Sequence, residues 1–250
     1  MVRQRVEHDQ LRVPVVNGNA APVGAILATK SALLLDFDGP VCQIFAHNRA
    51  RDIAAGLRTV VREHNGSVPP HLSETDDPLL VLRLVDGLGS PGLTRALVDA
   101  LIDAEVTAVD SATPTPGGHE VIAAASATGW KVAIVSNNSE EAVRAYLRRH
   151  GLTAHVDVVA SRYATMPPSL MKPDPHLLHR ALGGLHVAAD RAVLVGDSAT
   201  DIQAAHAAGV ASIGFANKPG KGAILERERA GAIVTSMSDL VAPLRTGHIA

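Results

Sequence analysis

Five times along this 250-residue chain a short apolar run breaks off in polar residues and gives way to a segment with helical character. The runs are 32–35 before Asp36, 132–135 before Ser136, 156–160 before Ser161, 192–195 before Gly196-Asp197, and 211–216 before Asn217-Lys218. They are short and rich in Leu and β-branched residues, as strands buried on both faces are. The segments between them carry helix signals. Residues 139–150 open on Ser139 as an N-cap, place Glu140 and Glu141 in the first turn, and close on Arg148, Arg149 and Gly151. Residues 200–208 end at Gly209 in the same manner, and 175–182 open on Pro175. Strand and helix alternating at this spacing predict an α/β fold, a Rossmann-like parallel sheet with helices on both faces. In such a sheet ligands bind beyond the carboxyl ends of the strands. The polar endings are therefore expected along one edge.

One interval breaks the rhythm. About 95 residues separate Asp36 from the next strand at Lys131, and most of them read as helices over 47–64, 78–88 and 93–111. Pro69-Pro70 and Gly89-Ser90-Pro91-Gly92 punctuate them, and Thr113-Pro114-Thr115-Pro116-Gly117-Gly118 closes the interval before a helix over 119–128. Residues 42–113 are thus expected to form an inserted all-α cap that overhangs the first strand end. Residues 21–41 and 114–250 would form the core, and residues 1–20 a loose tail.

Composition narrows the partners. A net charge of −2 with mixed signs supplies no field for nucleic acid or an anionic membrane, and 2% aromatics leave little surface for stacking bases. No apolar run approaches the ~20 residues a membrane helix needs. Arg3 and Arg5 are followed by Glu7, His8 and Asp9 in place of a signal-peptide apolar stretch. A single cysteine, Cys42, excludes an internal disulfide, and the expected location is the cytoplasm. Oligomeric state is not legible.

The chemistry concentrates at the strand ends. In Asp36-Phe37-Asp38-Gly39-Pro40 the two carboxylates lie two residues apart, hence on one side of extended chain, where they repel unless a cation or a proton intervenes. In Gly196-Asp197-Ser198-Ala199-Thr200-Asp201 two more lie one helical turn apart at the same edge. Taken singly, the first pair reads as an acidic turn and the second as helix caps. Taken together, they form an all-oxygen cluster suited to Mg²⁺ and a phosphate-bearing ligand. Ser136, with Asn137 and Asn138 beside it, ends the second run. Lys172 stands at a stiff turn, Met171-Lys172-Pro173-Asp174-Pro175, in a chain with only five lysines. Alone, Ser136 reads as a helix cap and Lys172 as a surface charge.

Leu34-Leu35-Asp36-Phe37-Asp38-Gly39, Ile134-Val135-Ser136-Asn137, Lys172-Pro173-Asp174-Pro175 and Gly196-Asp197-Ser198 with Asp201 resemble, in order and spacing over about 31–240, the four motifs of the haloacid dehalogenase superfamily. The insert position is similar to that of the branch containing phosphoglycolate phosphatases and β-phosphoglucomutases. The resemblance implies a Mg²⁺-dependent hydrolase of a small phosphorylated metabolite. Asp36 would be the nucleophile and Asp38 the acid and base, while Ser136 and Lys172 would hold the phosphoryl oxygens. Backbone amides of Phe37, Asp38 and Asn137 would add donors. The metal would sit on the Asp36 carboxylate, the Asp38 carbonyl and Asp197, with Asp201 direct or one shell out.

The run Pro40-Val41-Cys42-Gln43-Ile44-Phe45 departs from the family, many of whose members carry Thr or Val and then an Asp-Ser pair. That places the usual cap contacts and the substrate in question. Dehalogenation has no use for Asp38, and a Schiff-base route lacks a lysine between Lys30 and Lys131. A sugar phosphomutase and a non-catalytic binding protein stay open as alternatives. Arg49, Arg51, Arg58, Arg83 and Arg95 in the insert are either contacts for a second anionic group or solvated helix residues. Asn217-Lys218-Pro219-Gly220-Lys221 is either an ordinary basic loop or a source of a cation at the active edge.

Overall fold

A computed structural model describes residues 22–46 and 50–246. The expected tail over 1–20, and Arg49, lie outside the described residues. In chain order the helices are α1 (Val23–Leu27), α2 (Ala50–Asn65), α3 (Pro70–Ser73), α4 (Pro78–Asp86), α5 (Pro91–Ala108), α6 (Gly118–Ala127), α7 (Glu140–Arg149), α8 (His176–Leu185), α9 (Ala199–Ala207), α10 (Lys221–Arg227) and α11 (Val241–Thr246). The strands are β1 (Ala32–Leu35), β2 (Cys42–Gln43), β3 (Thr113–Pro114), β4 (Lys131–Ser139), β5 (Val158–Arg162), β6 (Ala192–Gly196), β7 (Ala211–Phe215) and β8 (Ala232–Val234). Six of them form one sheet in the order β5-β4-β1-β6-β7-β8, with every neighbouring pair parallel.

Pleating explains why the runs are apolar throughout. Leu33 and Leu35 of β1 enter one apolar cluster with Val132, Ile134, Val193 and Val195. Ala32 and Leu34 enter the other, with Ala133, Val135 and Leu194. Strands β1, β4 and β6 therefore bury both faces, and each leucine so buried stabilises the fold by roughly 1.5–3 kcal/mol. The predicted α7 carries the expected cap: the Ser139 hydroxyl accepts from the Ala142 N–H. The last strand, β8, has no counterpart among the predicted runs, because Ala232–Val234 is too short to register as a period.

The order places β1 between β4 and β6, so the chain leaves β1 for one side of the sheet and later returns on the other. That reversal is the switch point at which open parallel sheets leave a crevice. Main-chain pairing fixes the alignment: Leu35 lies opposite Ile134 on β4 and Val195 on β6, and the Asp36 N–H donates to the Val195 carbonyl at 2.9 Å. Asp36, Ser136 and Asp197 thus emerge side by side.

The long interval is helical, as its sequence predicts. Between β2 and β3 the described residues form α2, α3, α4, α5 and one 3₁₀ turn, with no strand. Cys42 pairs with Pro114 and Gln43 with Thr113 in an antiparallel ribbon, which ties the two ends of the insert together. Ala54, Leu57 and Val61 form a buried stripe on α2 at helical spacing. Pro78 opens α4, and the Asp77 side chain caps it by accepting from the Leu79 N–H at 2.9 Å. The apolar faces of these helices join the cluster on one side of the sheet. Among the described residues no helix is long and apolar enough to cross a membrane.

Candidate active site

Asp36 follows β1 directly and Asp38 follows Phe37. The chain then turns at Gly39, whose φ of +121° favours glycine. A Cβ built on Gly39 would lie 2.5 Å from Cγ of Asp197, so the absent side chain is what lets the turn approach the β6 end. Buried Thr115, beyond β3, donates its hydroxyl to the Gly39 carbonyl at 2.6 Å and pins the turn to the root of the insert. The Asp38 carboxylate accepts from the Ile44 N–H at 3.0 Å. Phe37 turns its ring into the core, edge-on to Tyr146, so only its backbone is left for the site.

Lys172 reaches the same point from the loop before α8. Its side chain is 2% exposed and its Nζ donates to Asp36 Oδ1 at 2.8 Å, Asp201 Oδ1 at 2.6 Å and the Val135 carbonyl at 2.8 Å. The ammonium's three donors are thereby all used. Its backbone is fixed on both sides by one side chain: the Lys172 N–H donates to Asn137 Oδ1 at 2.8 Å, and Asn137 Nδ2 donates to the Lys172 carbonyl at 3.2 Å.

Asp201 is fully buried. It closes a capping box at the start of α9, in which its Oδ2 accepts from the Ser198 N–H at 3.0 Å and the Ser198 hydroxyl at 2.6 Å. Its other oxygen faces Lys172. Asp201 is therefore both a helix cap and a member of the cluster. Asp197 Oδ2 accepts from Asn217 Nδ2 at 2.9 Å and is ion-paired with Lys221. The basic loop after β7 thus reaches the active edge and meets a carboxylate there.

Asp36, Asp197 and Asp201 can each present one oxygen within 4.8 Å of the others. Burial raises Asp36 to about 7, and the charges of Asp201 and Asp197 push the same way against Lys172. Burial likewise raises Asp38 to about 6, opposed by the Ile44 N–H and helped by Asp197. Burial works against the Lys172 charge, yet Asp201 and Asp36 hold its proton above the ordinary lysine range. Two lysines, Lys172 and Lys221, do not neutralise three carboxylates with Asp38 beside them. Three close hard oxygens with charge left over form a donor set that fits a small divalent cation.

The cleft at this edge has a volume of about 510 Å³ and opens to solvent. Asp36, Asp38, Ser136, Asn137, Lys172, Asp197 and Asp201 all line it, so every side chain singled out in the sequence for chemistry converges there. The insert contributes Phe45, Ala50 and the Asp76–Leu79 turn. Four arginines of the insert have partners other than the carboxylates of the cluster. Arg58 holds the Thr75 carbonyl at 2.5 Å, Arg51 and Arg95 pair with Asp52 and Asp99, and Arg83 donates to the carbonyls of Met171 (3.2 Å) and Lys172. Arg83 therefore braces the loop that carries Lys172.

Two buried residues outside the motifs complete the edge. Arg162, the last residue of β5, pairs with Glu105 of α5 at 2.6 Å, and both side chains are 1% exposed. Sequence reasoning passed over both, because a lone Glu in an amphipathic helix and a lone Arg after an apolar run read as surface residues.

Fold and site define a Rossmann-like α/β protein with a helical insert after its first strand and a carboxylate cluster at its switch point. The matched relatives agree with that class. The chain belongs to the haloacid dehalogenase-like hydrolases, whose family model matches residues 90–215. That stretch holds Ser136, Lys172, Asp197 and Asp201. Asp36 and Asp38 precede it and join the others through the sheet. The chain is 34% identical over 139 residues to a plasmid phosphoglycolate phosphatase of Cupriavidus necator, a match covering 54% of this chain and 57% of that one. It therefore spans little more than half the length of this curated relative. Among solved structures, a predicted phosphatase from Clostridium acetobutylicum shares the fold with a TM-score of 0.66 at 16% identity, over 85% of this chain and 97% of that one. A haloacid dehalogenase family hydrolase from Deinococcus radiodurans, with bound phosphate and sodium, aligns with a TM-score of 0.57 at 25% identity, over 88% and 97%.

Proposed function

We propose that this chain is a Mg²⁺-dependent phosphomonoester hydrolase that acts on a small phosphorylated metabolite through an aspartyl-phosphate on Asp36. The observation that carries the reading is the convergence of Lys172 on Asp36 and Asp201, at 2.8 and 2.6 Å, beside Asp197. The name of the Cupriavidus relative and the phosphate in the Deinococcus structure support it.

The Asp36 carboxylate, the Asp38 carbonyl and Asp197 would hold the Mg²⁺, with Asp201 bound directly or through water. The ion would offset the charge of the carboxylates and the phosphoryl oxygens. Asp36 attacks phosphorus in line and forms the new O–P bond as the ester O–P bond breaks. Asp38 gives its proton to the leaving oxygen. Its raised pKa of about 6 keeps a usable fraction protonated near neutrality. Once the alcohol has left, Asp38 takes a proton from water, whose oxygen attacks phosphorus and releases Asp36 and inorganic phosphate. The amides after Asp36 and Ser136 hold the phosphoryl oxygens, joined by Lys172 and Ser136 as each exchanges a present acceptor for a phosphoryl oxygen, Asp36 in the case of Lys172 and Asn138 Oδ1 in that of Ser136.

The test is hydrolysis of p-nitrophenyl phosphate with and without Mg²⁺, by the wild type and Asp36→Asn. Turnover is expected to need the ion and to fall by about a thousandfold or more in the variant. A variant that still turns over at a tenth of the wild-type rate would remove Asp36 as nucleophile.

A further inference from the structure

The pairing of β4 with β5 runs Val135 to Ala160 and Ser136 to Ser161, then jumps to Ser139 opposite Arg162. Asn137 and Asn138 bulge out of the ladder. A bulge leaves main-chain groups without their usual partners, and buried ones must find others. Here the partners are two charged side chains. Arg162 Nε donates to the Asn137 carbonyl at 2.9 Å. Glu105 Oε2 accepts from the Ser139 N–H at 2.8 Å, and Glu105 Oε1 from Asn138 Nδ2 at 3.2 Å. Asn138 in turn brackets Ser136: its Oδ1 accepts from the Ser136 hydroxyl and its N–H donates to that hydroxyl oxygen, both at 3.2 Å. Asn137 holds the backbone of Lys172.

We propose that Glu105 and Arg162 are positioning residues, a buried pair that sets the Ser136–Asn138 bulge and, through Asn137, the height of Lys172 over Asp36. The proposal rests on the hydrolase reading above, in which that bulge receives the phosphoryl group. The ion pair as such is not needed for stability, since buried ion pairs are commonly replaced by apolar residues without loss. Nor are its hydrogen bonds complete: Arg162 Nη1 is buried with no hydrogen-bond partner among the described residues. What an apolar pair could not do is hold the Asn137 carbonyl and the Ser139 N–H at fixed points. Because Glu105 belongs to the last helix of the insert, the pair also sets the bulge relative to the insert's root.

The experiment uses Glu105→Gln, Arg162→Lys and the double variant Glu105→Leu with Arg162→Met. The readouts are orthovanadate and inorganic phosphate binding by calorimetry in Mg²⁺, KM and kcat on p-nitrophenyl phosphate, and melting temperature. The double variant strands the Asn137 carbonyl and the Ser139 N–H, so it is expected to melt at least several degrees below the wild type, and its folded fraction to bind both anions at least about tenfold more weakly. Arg162→Lys, which keeps the charge but not the fork, should recover part of the loss. Glu105→Gln keeps the shape and should raise KM several-fold with a smaller change in kcat. If the double variant does not fold, the two single variants carry the test on the same readouts. Anion binding within twofold of the wild type in the folded variants would overturn the proposal and leave the hydrolase reading standing. Failure of the wild type to bind either anion would instead overturn the hydrolase reading.

Discussion

Removing the ammonium from the centre of the site offers a sharp test of how the cluster is held. In Lys172→Met the side chain keeps its approximate length but leaves Asp36 and Asp201, 12% and 0% exposed, facing each other without a cation. Breaking a buried pair by deleting one partner costs about 3–5 kcal/mol, because the remaining charge stays buried. For a chain of this size each kcal/mol moves the melting temperature by roughly 2–4 °C, so a fall of roughly 6–20 °C is expected in metal-free buffer. The deficit should shrink in two ways that a packing defect would not share. Millimolar Mg²⁺ supplies positive charge and should raise the variant's melting temperature more than the wild type's. Lowering the pH protonates the stranded carboxylates and should do the same. The assay is thermal unfolding of both proteins, with EDTA or Mg²⁺, at several pH values. A variant melting within 2 °C of the wild type, with equal responses to Mg²⁺ and acid, would refute the electrostatic account of the site.

Further outcomes follow from the same geometry. Burial raises Asp36 to about 7 and Asp38 to about 6 in the metal-free protein, so the folded state binds protons more tightly than the unfolded one. The stability this contributes is full below the ordinary carboxylate pKa and is lost as pH rises through about 6 to 7, and Mg²⁺ should flatten that slope. Denaturant midpoints across that window check it, and a flat metal-free profile would contradict it. Gly39→Ala combines a φ of +121° with a Cβ placed 2.5 Å from Asp197, so it should weaken Mg²⁺ binding at least tenfold, read by calorimetry. Thr115→Val leaves the Gly39 carbonyl without its buried donor and should cost about 1–3 kcal/mol in urea unfolding.

The α/β class, the parallel sheet, the helical interval after the first strand and the candidate residues at the strand ends are all written in local patterns. Apolar runs announce strands buried on both faces, and caps such as Ser139 announce helices. The four motifs announce carboxylates and a lysine that local structure alone does not require. Convergence is a different kind of information. That Asp36 and Asp201 share Lys172, that Asp197 is met by Asn217 and Lys221, and that Arg83 braces the loop of Lys172 depend on strand order and on side-chain reach across long sequence separations. Glu105 and Arg162 show the limit most plainly. No local signal marks either one, because their burial is decided by how α5 packs beside the β4 bulge, and a charge reveals itself as buried only once its surroundings have assembled.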